Sequence, residues 1–171
     1  YTRHFCSLFD VSHMGRILVD GPEAVPFLQH VLSSNVLALD VNQAQYAIIP
    51  NESGGAVDDA YLYRFEADRY LLVVNAANTD KDLAHLQEQI KAFDARMTVI
   101  TADVAAIAVQ GPKAKELLMV LSGGEQITEP VKNALNTLEF EGHTVRVAKT
   151  GYTGEPIGYE VYIGSAHAAW L

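Results

Sequence analysis

A repeat constrains this chain more than any other feature. Ile17, Val19, Gly21, Pro22, Ala24 and Leu28 recur 90 positions later as Ile107, Val109, Gly111, Pro112, Ala114 and Leu118. Each copy reads as a strand with alternating apolar residues, a Gly-Pro elbow and a helix. Proline suits the opening of that helix because the first N–H groups of a helix have no internal partner and its φ is already fixed. Six identities in twelve positions at one register exceed what Gly-Pro punctuation alone supplies. The expectation is a duplicated α+β fold, with units over 1–100 and 101–171.

The remaining patterns fill in those units. "GRILVDG" reads as a strand and "GPEAVPFLQHVLSS" as a helix with Ala24, Phe27, Leu28, Val31 and Leu32 at helical spacing. "QYAIIPNESGGAVDDAYLYRFEADRYLLVVNAAN" alternates as three strands, with turns at Gly54–Gly55 and near "EAD", which makes an antiparallel meander. "NTDKDLAHLQEQIKAF" follows as a helix with Leu83, Leu86, Ile90 and Phe93 inward. Asn78 or Thr79 is expected to cap it, and Asp80 and Asp82 to favour its N-terminal dipole. "RMTVITAD" and "VAAIAVQG" are strands, "GPKAKELLMVL" a helix, "NTLEFEGHTVRVAKT" a hairpin turning at Glu141–Gly142, and "GYEVYIG" the last strand.

Charge and composition exclude several functions. Twelve Lys and Arg against 21 Asp and Glu give a net charge of -9 with no basic cluster, which argues against binding a phosphate backbone. Cys6 is the single cysteine, so there is no internal disulfide and no Cys-based zinc site, as suits a reducing compartment. The six histidines lack any HExxH spacing, and no metal is expected. No apolar run approaches the roughly 20 residues of a membrane span. Both ends read as cut: the chain starts without Met, and "SAHAAWL" stops in a helix just begun.

Three stretches carry candidate chemistry. In "GGAVDDAYLYR", Asp58 and Asp59 are neighbours on a strand and must point to opposite faces, so one carboxylate looks toward protein. Asn75 ends the facing strand after an apolar run. With "EAD" as the turn, Asp59 and Asn75 lie near the same edge, where a carboxylate and a carboxamide can accept from and donate to a heterocycle. "TGYTGEPIGYE" is a glycine-rich loop framed by Tyr152, Tyr159 and Glu160. It has no GxxxxGK pattern, and its acidic partners suit a ligand rich in N–H donors, such as a pterin. In "FDVSHMGRI", Ser12 and His13 are adjacent, but no GxSxG elbow or relay aspartate accompanies them, and Met14 is expected to pack on a ring.

In order, "LFDVSHMG", "GGAVDD", "LLVVNAANTDKDL", "AIAVQGP" and "KTGYTGE..GYE" resemble the successive signatures of the aminomethyltransferase (T-protein) family of the glycine cleavage system. The resemblance covers nearly the whole chain. It implies ferredoxin-like-type units around a central tetrahydrofolate site, with the family's C-terminal barrel lying beyond this chain. It also implies an essential aspartate at Asp59 and folate contacts at Met14, Tyr46, Tyr61, Val73, Asn75, Tyr152 and Glu160. The family reaction takes an aminomethyl group from the lipoyl arm of H-protein, releases ammonia and gives 5,10-methylenetetrahydrofolate. The implied partner is lipoylated H-protein, and the implied compartment is the bacterial cytoplasm or the mitochondrial matrix.

Folate-dependent demethylases and the folate domains of sarcosine and dimethylglycine dehydrogenases share much of this pattern, and the pattern does not choose the donor. Non-catalytic folate-binding relatives carry KGCYxGQE where this chain has "KTGYTGE". Two departures from the family form are visible. The loop "GEPIGYE" is one residue longer than usual, and Lys149 stands where Arg is common.

Overall fold

The computed structural model describes residues 1–124, 133–151 and 153–171. Both Gly-Pro elbows turn a strand into a helix. Gly21 has φ +119° and Gly111 φ +137°, a left-handed region that disfavours any side chain. At Gly111 a Cβ would also collide with the Phe5 carbonyl. The shared Gly-Pro signature is therefore a backbone requirement in both units.

The chain forms two units, Tyr1–Ser12 with Ala102–Leu171, and His13–Thr101. An N-terminal strand, β1 (Ser7–Asp10), pairs with β7 (Val104–Gln110), which takes residues 1–12 out of the first unit expected over 1–100. Sequence patterning did not reveal β1. It is four residues long and largely exposed, and its partner lies about a hundred residues away in sequence.

In the His13–Thr101 unit the strands are β2 (Gly15–Asp20), β3 (Gln43–Pro50), β4 (Ala56–Glu66), β5 (Arg69–Val74) and β6 (Arg96–Val99). They form an antiparallel sheet in the order β3-β4-β5-β2-β6. Helices α1 (Ala24–Val31) and α2 (Thr79–Gln89) cover one face, burying Ile17, Val19, Phe27, Leu28, Leu62, Leu72, Val74 and Leu86. Pro26 falls in the first turn of α1, where its missing N–H costs little.

The other unit pairs β1 and β7 with β8 (Leu135–Phe140), β9 (His143–Ala148) and β10 (Gly158–Gly164), antiparallel in the order β1-β7-β10-β9-β8. Helix α3 (Ala114–Leu121) packs there through Ala114 and Leu118 on a core that includes Val109, Phe140, Val147 and Val161. Glu141 and Gly142 turn the β8–β9 hairpin with positive φ at both positions, as a tight two-residue turn requires. Among the described residues, no helix is long and apolar enough to cross a membrane.

Candidate active site

Strand register gathers most of the expected residues in the His13–Thr101 unit. Tyr46 pairs with Tyr61, Tyr61 with Val73 and Val73 with Arg16, so the four form one row across β3, β4, β5 and β2. Directly paired residues share a face, and this row lies on the face opposite the helices. The Tyr46 and Tyr61 rings meet edge to face with centroids 5.8 Å apart. Asp59, paired with Ile48, belongs to the same face two residues along. Asp58, paired with core residue Ile49, belongs to the helix side.

At the end of β5 the Asn75 amide reaches both acids. Nδ2 donates to Asp59 Oδ1 at 2.7 Å and to Asp58 Oδ1 at 3.0 Å. The Asn75 carbonyl accepts from the Asn78 N–H at 3.0 Å and the Thr79 hydroxyl at 3.1 Å, which ties the residue to the start of α2. These bonds change the expected capping. Neither Asn78 nor Thr79 caps α2 with its side chain, because the Thr79 hydroxyl serves Asn75 and the Asn78 side chain turns to Asp58. Met14 is half-buried and precedes Gly15, whose partner Val74 precedes Asn75.

Electrostatics separate the acids. Burial works to raise the Asp58 pKa. The bond from the Asn75 amide, with the neighbouring Asp82 carboxyl, Asp59 backbone N–H and Asn78 side chain, outweighs it and holds Asp58 below the ordinary carboxylate range. Asp82 moves the other way. Burial first, then the neighbouring Asp58 carboxyl and the charges of Asp58 and Asp59, push it up to about 7 against the pull of Lys81. The Tyr46 phenol donates to Asp59, and that bond, with partial desolvation and the nearby carboxylates, holds its pKa above the usual value.

Two groups at the site were not among the expected site residues. Asp82 is fully buried, and the signal was its spacing: it lies one turn before Leu86 on the inner stripe of α2, which Ile90 continues just past the helix end. Arg16, also fully buried, donates to the Met14 carbonyl at 2.9 Å and the Thr101 carbonyl at 2.6 Å, fixing the chain beside the site. A charged residue alternating with Ile17 and Val19 was the sign of it.

Two expected residues are not part of the His13–Thr101 unit's sheet. Glu160 is on β10 in the other unit, buried, and accepts a hydrogen bond from the Thr150 hydroxyl. Tyr152 lies outside the described residues. The glycine-rich loop owes two glycines to Gln110, which is fully buried. A Cβ on Gly151 or Gly158 would collide with Gln110 Oε1. The Ser12 hydroxyl is engaged with the backbone of Ala106, accepting from its N–H at 3.0 Å. A cavity of about 540 Å3 beside the Gly21–Pro22 elbow contains none of the expected residues.

This geometry supplies an acceptor-only carboxylate, held by an amide and a phenol, on a tyrosine-lined sheet face. Such a set can orient and take protons from an amine. The fold is shared with solved enzymes. The chain matches the crystal structure of glycine cleavage system aminomethyltransferase T from Bartonella henselae with TM-score 0.85 and 31% identity, over 99% of this chain and 45% of that one. Heterotetrameric sarcosine oxidase from Corynebacterium sp. U-96 shares the fold alone, at TM-score 0.69 and 15% identity, over 96% of this chain and 78% of that one.

The family model for the GCVT N-terminal domain matches residues 1–171, and the chain belongs to that family. It is 45% identical to an aminomethyltransferase of Thermus thermophilus over 97% of this chain and 47% of the relative. It is 43% identical to that of Deinococcus deserti over 97% and 46%. The chain thus spans about half the length of the curated relatives it matches.

Proposed function

We propose that this chain is the N-terminal part of an aminomethyltransferase that passes a one-carbon unit from a lipoyl-bound aminomethyl group to tetrahydrofolate and releases ammonia. The observation that carries the reading is the Asn75 amide 2.7 Å from Asp59 Oδ1, which holds a carboxylate on the tyrosine-lined face. Relatives named aminomethyltransferase at 43–45% identity support the same reaction class.

The residues fit a reduced folate in their donor chemistry. A pterin edge is rich in N–H donors, and Asp59 can only accept, while the Tyr46 and Tyr61 rings offer faces for a flat heterocycle. Tetrahydrofolate, when bound, supplies the amines that receive the one-carbon unit. Asp59 orients the attacking amine and takes its proton, and its charge favours positive charge developing nearby. Tyr46 and Asn75 keep that carboxylate in one rotamer, and Met14 and Val73 supply apolar contact. The partner in this reading is the lipoylated H-protein that carries the donor.

The test is turnover of the full-length protein with lipoyl-bound aminomethyl donor and tetrahydrofolate. Asp59→Asn should lower kcat by about 10²–10⁴, the contribution of an acid–base group, with folate affinity changed far less. Unchanged turnover would overturn the reading. Product analysis with methylated amines in place of the lipoyl donor tests the choice of donor.

A further inference from the structure

We propose that Asp82 is a positioning residue for Asp59: its carboxyl donates a proton to the Asp58 carboxylate, and the single shared anion fixes the Asn75 amide that holds Asp59. This rests on the reading of Asp59 as the reacting carboxylate.

Donors are short around this pair of acids. Asp58 Oδ2 and both Asp82 oxygens are buried, and with both acids ionised the described residues offer them no hydrogen bond. Lys81 does not repair this. Its Nζ is 3.9 Å from Asp82 Oδ1, beyond hydrogen-bond reach, and donates instead to the Val57 carbonyl at 2.6 Å. Two adjacent buried anions with unsatisfied oxygens are costly, and one proton shared between them removes both the second charge and the missing donor.

The surroundings decide which acid holds the proton. Asp58 receives the Asn75 amide and is faced by the Asp59 N–H and the Asn78 side chain, all of which favour its charge. Asp82 has no such donors among the described residues, so it stays neutral and gives its proton to Asp58. The consequence travels through Asn75. Its amide has two hydrogens, one spent on Asp58 and the other on Asp59, so the orientation that serves Asp59 depends on a fixed, singly charged Asp58.

Ionisation of Asp82 removes the shared proton. Asp58 and Asp59 from β4 and Lys81 from α2 itself are the charged groups that act on Asp82, with Asn75 and Asn78 as neutral neighbours of the pair. A second negative charge repels Asp58 and loosens the bridge. Turnover should therefore fall as pH rises through about 7, where Asp82 loses its proton.

The experiment uses the full-length protein and two readouts. Infrared difference spectra of wild type against Asp82→Asn, recorded across pH, should show the carbonyl band of a neutral carboxylic acid at pH values below about 7 that disappears above. Asp82→Ala should lower kcat by about 10–100-fold, the scale of a misplaced catalytic group, with tetrahydrofolate affinity little changed. Asp82→Asn, neutral and still a donor, should recover most of that loss and abolish the alkaline fall.

Absence of the acid band, full kcat in Asp82→Ala, or no recovery in Asp82→Asn would each overturn the proposal. The band is read without turnover, so it decides the shared proton even where Asp82→Ala does not fold. If Asp59→Asn retains activity while the band is present, the reading of Asp59 has failed and the proton-sharing pair stands.

Discussion

Asn75 Nδ2 lies 2.7 Å from Asp59 Oδ1, and the same nitrogen lies 3.0 Å from Asp58 Oδ1. One amide therefore spans two carboxylates that strand geometry directs to opposite faces. Asn75→Ala should leave both acids without this donor, lowering kcat by about 10–100-fold and weakening tetrahydrofolate binding by calorimetry. Asn75→Asp is expected to be worse than Asn75→Ala, since it adds a third carboxylate to the cluster. Equal activity in the two variants would show that the amide is not bridging charge.

Tyr46 tests the second restraint on Asp59. Its hydroxyl donates to the carboxylate, but the residue is 49% exposed, so water can replace part of that bond. Tyr46→Phe should reduce kcat by only about three- to tenfold and leave folate affinity near wild type, because the ring still meets Tyr61 edge on. Tyr46→Ala removes the ring as well and should weaken folate binding. Steady-state kinetics combined with calorimetry separate the two contributions.

The sequence made some of this visible for identifiable reasons. Alternation in "DDAYLYR" and "YLLVV", with a turn at "EAD", implied that Asp59 and Asn75 sit at one end of a hairpin, because an antiparallel pair fixes the register of both strands. The Gly-Pro elbows were equally legible, since positive φ leaves a mark in the residue type.

Asp82 was visible only as a partner of the helix dipole, not as part of the site. In the first turn of a helix a carboxylate has a sufficient explanation in the dipole, and only the fold puts Asp58 beneath it. The strand Ser7–Asp10 was hidden because its pairing with β7 is non-local and its residues are mostly exposed. Gln110 was hidden too. Nothing in "AIAVQGP" announces that its side chain fills the space left by two distant glycines.

Asp82 also makes a prediction about stability. Its carboxyl titrates at about 7 in the folded chain and near 3.9 when unfolded. Between those values the folded state holds the proton that the unfolded state has lost. The stabilisation is fully present below about pH 4 and is lost as pH rises through about 7. Asp58, whose pKa is lowered, contributes in the opposite direction and only in acid, as pH falls below the usual carboxylate range. Chemical unfolding of wild type and Asp82→Asn from pH 5 to 8 should give a wild-type stability that declines relative to the variant. Parallel curves would show that Asp82 is ionised throughout.

The glycine-rich loop gives a prediction independent of catalysis. Gln110 Nε2 donates to the Tyr159 carbonyl at 3.2 Å, and Gln110 Oε1 accepts from the Thr153 hydroxyl at 3.0 Å, so one buried side chain ties β7 to both ends of the loop. Gly158 pairs with Gln110 across the β7–β10 ladder, and a methyl there would overlap Oε1. Gly158→Ala must displace the amide and break its bonds, an overpacking that should cost about 1–3 kcal/mol. Gln110→Ala alone loses the same bonds but empties the space the methyl needs. The double variant should therefore be more stable than the sum of the single effects predicts, with a coupling on the order of 1 kcal/mol in denaturant titrations. Additive effects would mean that Gly158 is required for its backbone and not for the room it leaves to Gln110.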